Sequence, residues 1–395
     1  MTQPVRVAQL VAEGVLRVED GNHGESRPLP HEFVSDGIPF IRAADMSTGI
    51  VTFTTAGKID EAARARIRKG IGRPGDALLS HKGTVGKVAV APLDSPDFVC
   101  SPQTTFWRST DPSRLEQRYL PYVLKSPAFV AQLNCLMGQT DMAPYVSLTD
   151  QRAMTIPVPP IDEQRGIAQV LGALDDKIAA NAHLVASAGE LSRATYDSLL
   201  PDADSVPLSS LARFVNGKAF TKDATGTGRV VIRIAELNSG LGGSTVYNDI
   251  AVAEDHVAHT GDLLFAWSGS LTVHRWFRPE GIVNQHIFKV IPTEVPMWII
   301  KGALDRRLVQ FKAIAADKAT TMGHIQRRHL DEPVAVPSAS AIKEHDTAMT
   351  ALWDRALAAE RETLRFEQLR DALLPQLMSG EIKVKDAEHV VVGVA

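Results

Sequence analysis

What most constrains this chain is that it is written twice. Ile41-Arg42-Ala43-Ala44-Asp45-Met46 returns as Ile232-Arg233-Ile234-Ala235-Glu236-Leu237, and Pro74-Gly75-Asp76-Ala77-Leu78-Leu79 returns as Thr260-Gly261-Asp262-Leu263-Leu264-Phe265. Gln103 to Trp107 matches Gln285 to Lys289, a strand-like end at Pro159 matches one at Pro337, and Leu199-Leu200-Pro201 matches Leu373-Leu374-Pro375. The distance between copies falls steadily, from 191 residues at the first landmark to 174 at the last. Chance matches would scatter, whereas a duplicated unit trimmed in its loops drifts one way. The period is far longer than a solenoid repeat, so two copies of a whole domain plus connector are expected.

Each copy opens with short β-like runs punctuated by Gly, Pro and Asp: Gly37 to Arg42, Ala77 to Leu79 and Lys87 to Ala91, then Val230 to Ile234, Asp262 to Trp267 and His286 to Ile291. Each then changes period. From Ile161 to Leu200 apolar residues recur at Ile167, Leu171, Leu174, Ile178, Val185, Ala188 and Leu191, mostly at alternating steps of four and three. Pro157, Pro159 and Pro160 bar an earlier start, Asp162 and Glu163 suit a positive helix N-terminus, and Pro201 ends the run. The second helical stretch, Ile342 to Leu374, carries Met349, Leu352, Ala356, Leu364, Phe366, Leu369 and Leu373 on a less regular seam, and its shorter spacing predicts a start about two turns later.

At 1.5 Å per residue, about 38 residues make a rod of about 57 Å. A small domain cannot bury so long a seam, so the helix of the other copy is its expected partner. The expected fold is α+β: two mixed α/β domains separated by two long helices pairing as an antiparallel coiled coil, with an internal pseudo-two-fold repeat. The boundaries read as a first domain at 1–160, its helix at 161–200, a second domain at 201–340, its helix at 341–380 and a C-terminal tail at 381–395. Asn181 lies either on the seam, as a buried polar residue fixing register, or on the outer surface.

Composition excludes several classes. At 395 residues the chain is too long for one ordinary core. Met1 to Val18 lacks a signal-peptide core and no apolar run nears the ~20 residues of a membrane helix, so a soluble, cytoplasmic protein is expected. Cys100 and Cys135 form no CxxC pair, and the 12 histidines form no H-E-x-x-H, so no metal is expected. Gly70-Ile71-Gly72-Arg73-Pro74-Gly75 satisfies G-x-G-x-x-G, but a basic stretch precedes it and a strand follows, the reverse of a dinucleotide loop. No Pro-Pro-aromatic motif for gripping a flipped base is present. The net charge is −4, yet basic residues gather at 58–87 and again at 301–330, one stretch in each copy, as phosphate contact would require.

The run Ile156-Pro157-Val158-Pro159-Pro160-Ile161-Asp162-Glu163-Gln164, followed by Ile167, Leu171, Leu174, Asp175, Lys177 and Ile178, resembles the first central helix of type I restriction-modification specificity subunits. Leu373-Leu374-Pro375 through Leu377-Met378-Ser379-Gly380-Glu381-Ile382 resembles their C-terminal element, and Gly261 to Ala266 with Asn284 to Phe288 resembles a target recognition domain. The resemblance implies a non-catalytic adaptor: each domain reads one half of a split, asymmetric site on double-stranded DNA, and the helices set the gap. It places S-adenosylmethionine in modification subunits, two per chain, and ATP and Mg²⁺ in partner subunits that include a motor-nuclease restriction subunit. The chain itself then needs no cofactor, metal, catalytic residue or membrane. The resemblance makes Glu163, Gln164, Ile167, Leu171, Leu174, Ile178, Leu352, Phe366 and Leu373 the residues of the coiled coil and of subunit docking. A self-contained two-lobed DNA-modifying enzyme is the alternative, and a dimeric scaffold a third reading.

Base readout needs hydrogen-bonding side chains on loops, and phosphate contact needs cations, hydroxyls or backbone amides. The first-copy loop with those properties is Ser80 to Lys87, with His81, Lys82, Gly83, Thr84 and Lys87; its counterpart runs from Ala266 to Arg275, with Trp267, Ser268, Gly269, Ser270, His274 and Arg275. An ordinary hairpin tip is the competing reading, and the repeat favours DNA contact. A second pair of loops carries Gln139 and Thr140 in one copy and Thr320, Thr321 and His324 in the other, with Arg327 and Arg328 assigned to phosphates. Gln103 and the Gln285-His286 pair begin strands, which favours a structural role.

Overall fold

The structure, a computed structural model, describes residues 3–46, 49–137, 143–317 and 323–394. It divides into two compact units, Met1–Asp176 with Phe366–Ala395, and Lys177–Arg365.

The first unit is built on a four-stranded antiparallel sheet of β1 (Leu16–Asp20), β2 (Ala77–Lys82), β3 (Thr84–Val90) and β4 (Thr104–Ser109), in the order β1-β4-β2-β3. The second unit repeats it with β5 (Ala212–Asn216), β6 (Leu263–Ala266), β7 (Thr272–Arg275) and β8 (Ile287–Pro292), in the order β5-β8-β6-β7. A second sheet recurs as well, with a parallel central pair, Ile38–Ile41 beside Phe98–Cys100 in one unit and Arg229–Ile232 beside Gly281–Val283 in the other. A third, two-stranded sheet ties the start of each domain to its end, pairing Val5 with Ile156 and Val206 with Val334. Duplication therefore holds for these sheets, except that the second sheet has five strands in the first unit and four in the second.

Repeated residues close equivalent turns. The buried Asp45 carboxylate accepts from the Arg42 N–H at 2.8 Å and Glu236 accepts from the Arg233 N–H at 3.0 Å. Asp76 and Asp262 do the same for Arg73 and His259, at 2.7 and 2.8 Å. Gly21 and Gly217 occupy equivalent crossings, where an added Cβ would sit 2.0 Å from the Cys100 carbonyl oxygen and 2.1 Å from that of Asn284.

The connector helices are Ile161–Ser198 and Ala339–Ser379. They pair antiparallel within each unit. In the first, Arg370 donates to Asp175 at 2.9 Å, and in the second, the Asn181 amide donates to Glu362 at 2.7 Å. Asn181 is 6% exposed, so it is the buried polar residue on the seam. Ile167, Leu171, Leu174, Phe366 and Leu373 are buried, Ile178 and Leu352 are half-buried, and Leu191, at 56% exposed, lies off the seam.

Two expectations are corrected. The second connector helix does not start late: it is 41 residues long and begins at Ala339, because Ser338 takes over the helix start, its carbonyl accepting from Ile342 at 2.9 Å. It runs on through Pro375, within the expected 341–380 bounds, where buried Leu373 and Leu377 keep the apolar stripe going. Residues 381–395 are not simply a tail, since Val384–Val394 is helical, Ala387 is fully buried, and Val384 occupies the space where a Cβ on Gly166 would lie, 2.7 Å away.

Candidate nucleic-acid interface

The tips of two hairpins, β2–β3 and β6–β7, carry most of the candidate residues. Gly83 turns the first at φ +77°, and Gly269 turns the second at φ +64°, left-handed conformations that glycine adopts without a Cβ penalty. Each tip is held by two further segments in the same way. At the first, the Gly83 N–H donates to the Pro144 carbonyl at 2.9 Å, the Val146 N–H to the His81 carbonyl at 2.9 Å, and the His81 N–H to the Gln103 carbonyl at 2.8 Å. At the second, the Gly269 N–H donates to Gly323 at 2.9 Å, Ile325 to Trp267 at 3.1 Å, and Trp267 to His286 at 3.0 Å. Lys82 bridges Tyr145, and Ser268 bridges His324, in matching antiparallel contacts.

This frame aligns Gln103 with His286, one residue along from the Gln285 that the sequence match suggested. β4 and β8 agree: Thr104 pairs with Ser80, and Ile287 with Ala266. Side-chain likeness misled there because two glutamines outweighed the pairing, which sequence alone does not display.

Lys82, Gly83 and Thr84 are exposed at the first tip, and Gly269 and Ser270 at the second; His324, Arg327 and Arg328 are exposed nearby. Other candidates serve the protein itself. His81 is 1% exposed, with Nδ1 2.9 Å from the Val146 carbonyl. A carbonyl only accepts, so Nδ1 carries the proton, and burial pulls the imidazole pKa below its usual value. Lys87 is half-buried and reaches the Ala43 carbonyl at 3.3 Å, Ser268 is 5% exposed, and His274 is partly buried, its pKa lowered to about 4, chiefly by desolvation. Trp267 is half-buried and donates from Nε1 to Asn216 at 2.8 Å.

Arg275 is also redirected. Its guanidinium donates to Glu360 at 2.8 Å and to the Trp353 carbonyl at 3.2 Å, and lies 4.5 Å from the Trp353 ring, so it holds β7 to the second connector helix rather than reaching outward. Gln164, placed among docking residues by the resemblance, is fully buried: it donates to Pro159 at 2.7 Å and Arg114 at 2.9 Å, and accepts from the Glu116 N–H at 3.0 Å. Glu163 is exposed one position earlier. Gln139, Thr140, Thr320 and Thr321 lie outside the described residues.

The basic stretches prove largely satisfied internally. Lys58 pairs with Asp36, Arg66 with Glu32 and Lys69 with Asp20, while Lys301 pairs with Asp305, Arg306 with Asp197 and Arg307 with Glu332. Arg68, Arg73 and Lys82 in one unit and Lys312, Arg327 and Arg328 in the other remain exposed. Linear charge counting could not foresee those acidic partners, several of which are distant in sequence.

One buried cation recurs in the frame without recurring in the sequence. Arg108 on β4 donates to Asp76 at 2.6 Å and to the Ile71 carbonyl at 3.1 Å. Lys289 on β8 meets the equivalent partners, Asp262 at 3.1 Å and the Val257 carbonyl at 2.6 Å. Arg108 lies two positions farther along its strand than Lys289, and its longer side chain reaches back over the Phe106 ring, 4.4 Å from the centroid. Burial raises the Asp76 pKa, and Arg108 offsets this only in part.

Among the described residues no group of three or more His, Cys, Asp or Glu is placed to hold a metal ion, and no helix is long and apolar enough to cross a membrane.

Residues 31–187 match the type I restriction modification DNA specificity domain. The S subunit of a type I restriction-modification system from M. genitalium superposes with a TM-score of 0.60 over 95% of this chain and 96% of that one, at 15% identity, a likeness of fold. The MjaX type I restriction enzyme specificity subunit of Methanocaldococcus jannaschii is 25% identical over 145 residues, 36% of this chain. That match spans about a third of the relative, 34% of its length. Over its first copy and the start of its connector, the chain is thus similar to the DNA specificity domain of type I restriction-modification systems.

Proposed function

We propose that the chain is the DNA-reading subunit of a type I restriction-modification complex. Its two domains, 1–160 and 201–340, each read one half of a split, asymmetric site on double-stranded DNA, and the connectors 161–200 and 341–380 set the gap. The observation that carries this reading is the repeated three-segment frame at Gly83 and Gly269, with Lys82 and Thr84 exposed on one tip and Ser270 on the other. A common frame bearing different polar side chains suits two readers of different bases. An uninterrupted connector of 38 residues is about 57 Å long, ample beside a DNA turn of about 34 Å.

Lys82, Arg327 and Arg328 meet phosphates in this scheme, and exposed Glu163 belongs to the docking surface for two modification subunits. Methyl transfer from S-adenosylmethionine, and translocation and cleavage driven by ATP and Mg²⁺, belong to the modification and restriction partners in the cytoplasm. Footprinting DNA with the chain bound to its modification subunits tests the proposal. Two protected elements separated by an open gap are expected; one contiguous element, or none, refutes it. Exchanging residues 205–335 for the equivalent part of another such subunit should alter one half-site and leave the other unchanged.

A further inference from the structure

The same frame brings one further residue position beside each tip pair. In the first unit the Gln103 Nε2 lies 4.0 Å from the point a Cβ on Gly83 would occupy, and the His81 and Tyr145 rings are 5.7 Å apart. In the second unit the equivalent positions hold Trp267, His286 and His324, with Trp267 5.1 Å from His286 and 6.4 Å from His324. Three positions thus converge twice on matching backbone hydrogen bonds, and all three differ in side chain. Each set has one aromatic ring fixed by a hydrogen bond, His81 in the interior to the Val146 carbonyl and Trp267 nearer the surface to exposed Asn216, and a more exposed ring lies beside it.

Two observations set these positions apart from ordinary strand starts. His286 has φ +75°, one of two non-glycine residues among those described in the left-handed region, and its buried Nδ1 has no hydrogen-bond partner. Such a conformation is uncommon for a residue with a side chain and persists where surrounding structure imposes it, commonly at binding sites. The equivalent Gln103 is exposed, with its amide beside the tip, although nothing in its own strand uses that amide. The buried Nε2 of His81 is likewise without a partner.

We propose that positions 103 with 145, and 286 with 324, are the principal base-reading positions of the two domains, each pair beside the ring at 81 or 267. Gln103 reads the acceptor–donor edge of an adenine in the major groove, the edge that a side-chain amide matches with two hydrogen bonds. The imidazoles of His286 and His324 address a purine edge in the other half-site. This deepens, and rests on, the reading of the chain as a two-domain DNA reader.

The test uses the full chain assembled with its modification subunits, and its readout is a base-by-base binding profile across both half-sites. Gln103→Ala and the paired exchange Gln103→His with Tyr145→His place changes only at exposed positions. Expected is a loss of discrimination at one base pair of the first half-site by about ten- to hundredfold, the range of one bidentate base contact. Binding to unrelated DNA and discrimination in the second half-site should stay as they were. An unchanged profile, or equal loss in both half-sites, overturns the inference. If the unaltered complex shows no sequence preference at all, the underlying proposal of a DNA reader fails instead. Lys82→Ala separates phosphate from base contact: it should weaken binding to all sequences alike and reduce the salt dependence.

Discussion

Gln164 joins three pieces of the first unit, and its removal has a calculable cost. Its side chain donates to the Pro159 and Arg114 carbonyls and accepts from the Glu116 N–H, with no exposure to solvent. Gln164→Ala leaves one buried and one part-buried carbonyl and a part-buried N–H without this partner, at up to about 1–3 kcal/mol each, and opens a cavity besides. Partial collapse and water entry recover some of this, so a net loss of about 3–5 kcal/mol is expected. Gln164→Met keeps the volume and removes only the bonds, and should cost about 2–4 kcal/mol. Because two units need not unfold together, hydrogen exchange resolved by segment is the suitable assay. Protection should fall in Thr104–Ser109, Leu120–Lys125 and the start of the Ile161–Ser198 helix, and hold in Leu263–Ala266. A loss under about 1 kcal/mol, or an equal loss in both units, would refute the clamp.

Gly21→Ala and Gly217→Ala should each destabilise their own unit by more than about 3 kcal/mol, since both put a methyl group against backbone oxygen, and segment-resolved exchange would show which unit opens. Arg275→Ala should cost unit 2 about 2–4 kcal/mol by leaving Glu360 unpaired beside Trp353, without changing the salt slope of DNA binding; a reduced slope would return Arg275 to the phosphate surface. For His274 the folded pKa, about 4, is below the ordinary 6.5, so its contribution to stability is present above pH 6.5 and is lost as pH falls toward 4. That amounts to at most about 3 kcal/mol, and His274→Gln should flatten unit 2 unfolding over this pH range.

Much of the scaffold was legible because its signals are local or periodic. The four-three alternation through Ile167, Leu171 and Leu174 needs no neighbour to announce a helix seam. Asp45 with Glu236 and Asp76 with Asp262 recur because each carboxylate caps a backbone N–H three residues away. The late helix start was misread because Ser338 can begin a helix as well as a Pro-Pro pair. The site was less legible. Arg275 on a loop-flanking strand reads as a DNA contact until Glu360, 85 residues away, is seen to accept from it.

The amino-acid sequence by itself determined the duplication, the change from strand to helix period in each copy, and the long apolar seams, all of which follow from residue spacing. Tertiary structure alone decided that Gln103 corresponds to His286, that Arg108 and Lys289 hold equivalent aspartates, and that the tips at Gly83 and Gly269 share one frame. The physical reason is that these depend on backbone pairing between distant segments, where hydrogen bonds set register and side-chain identity is free to change.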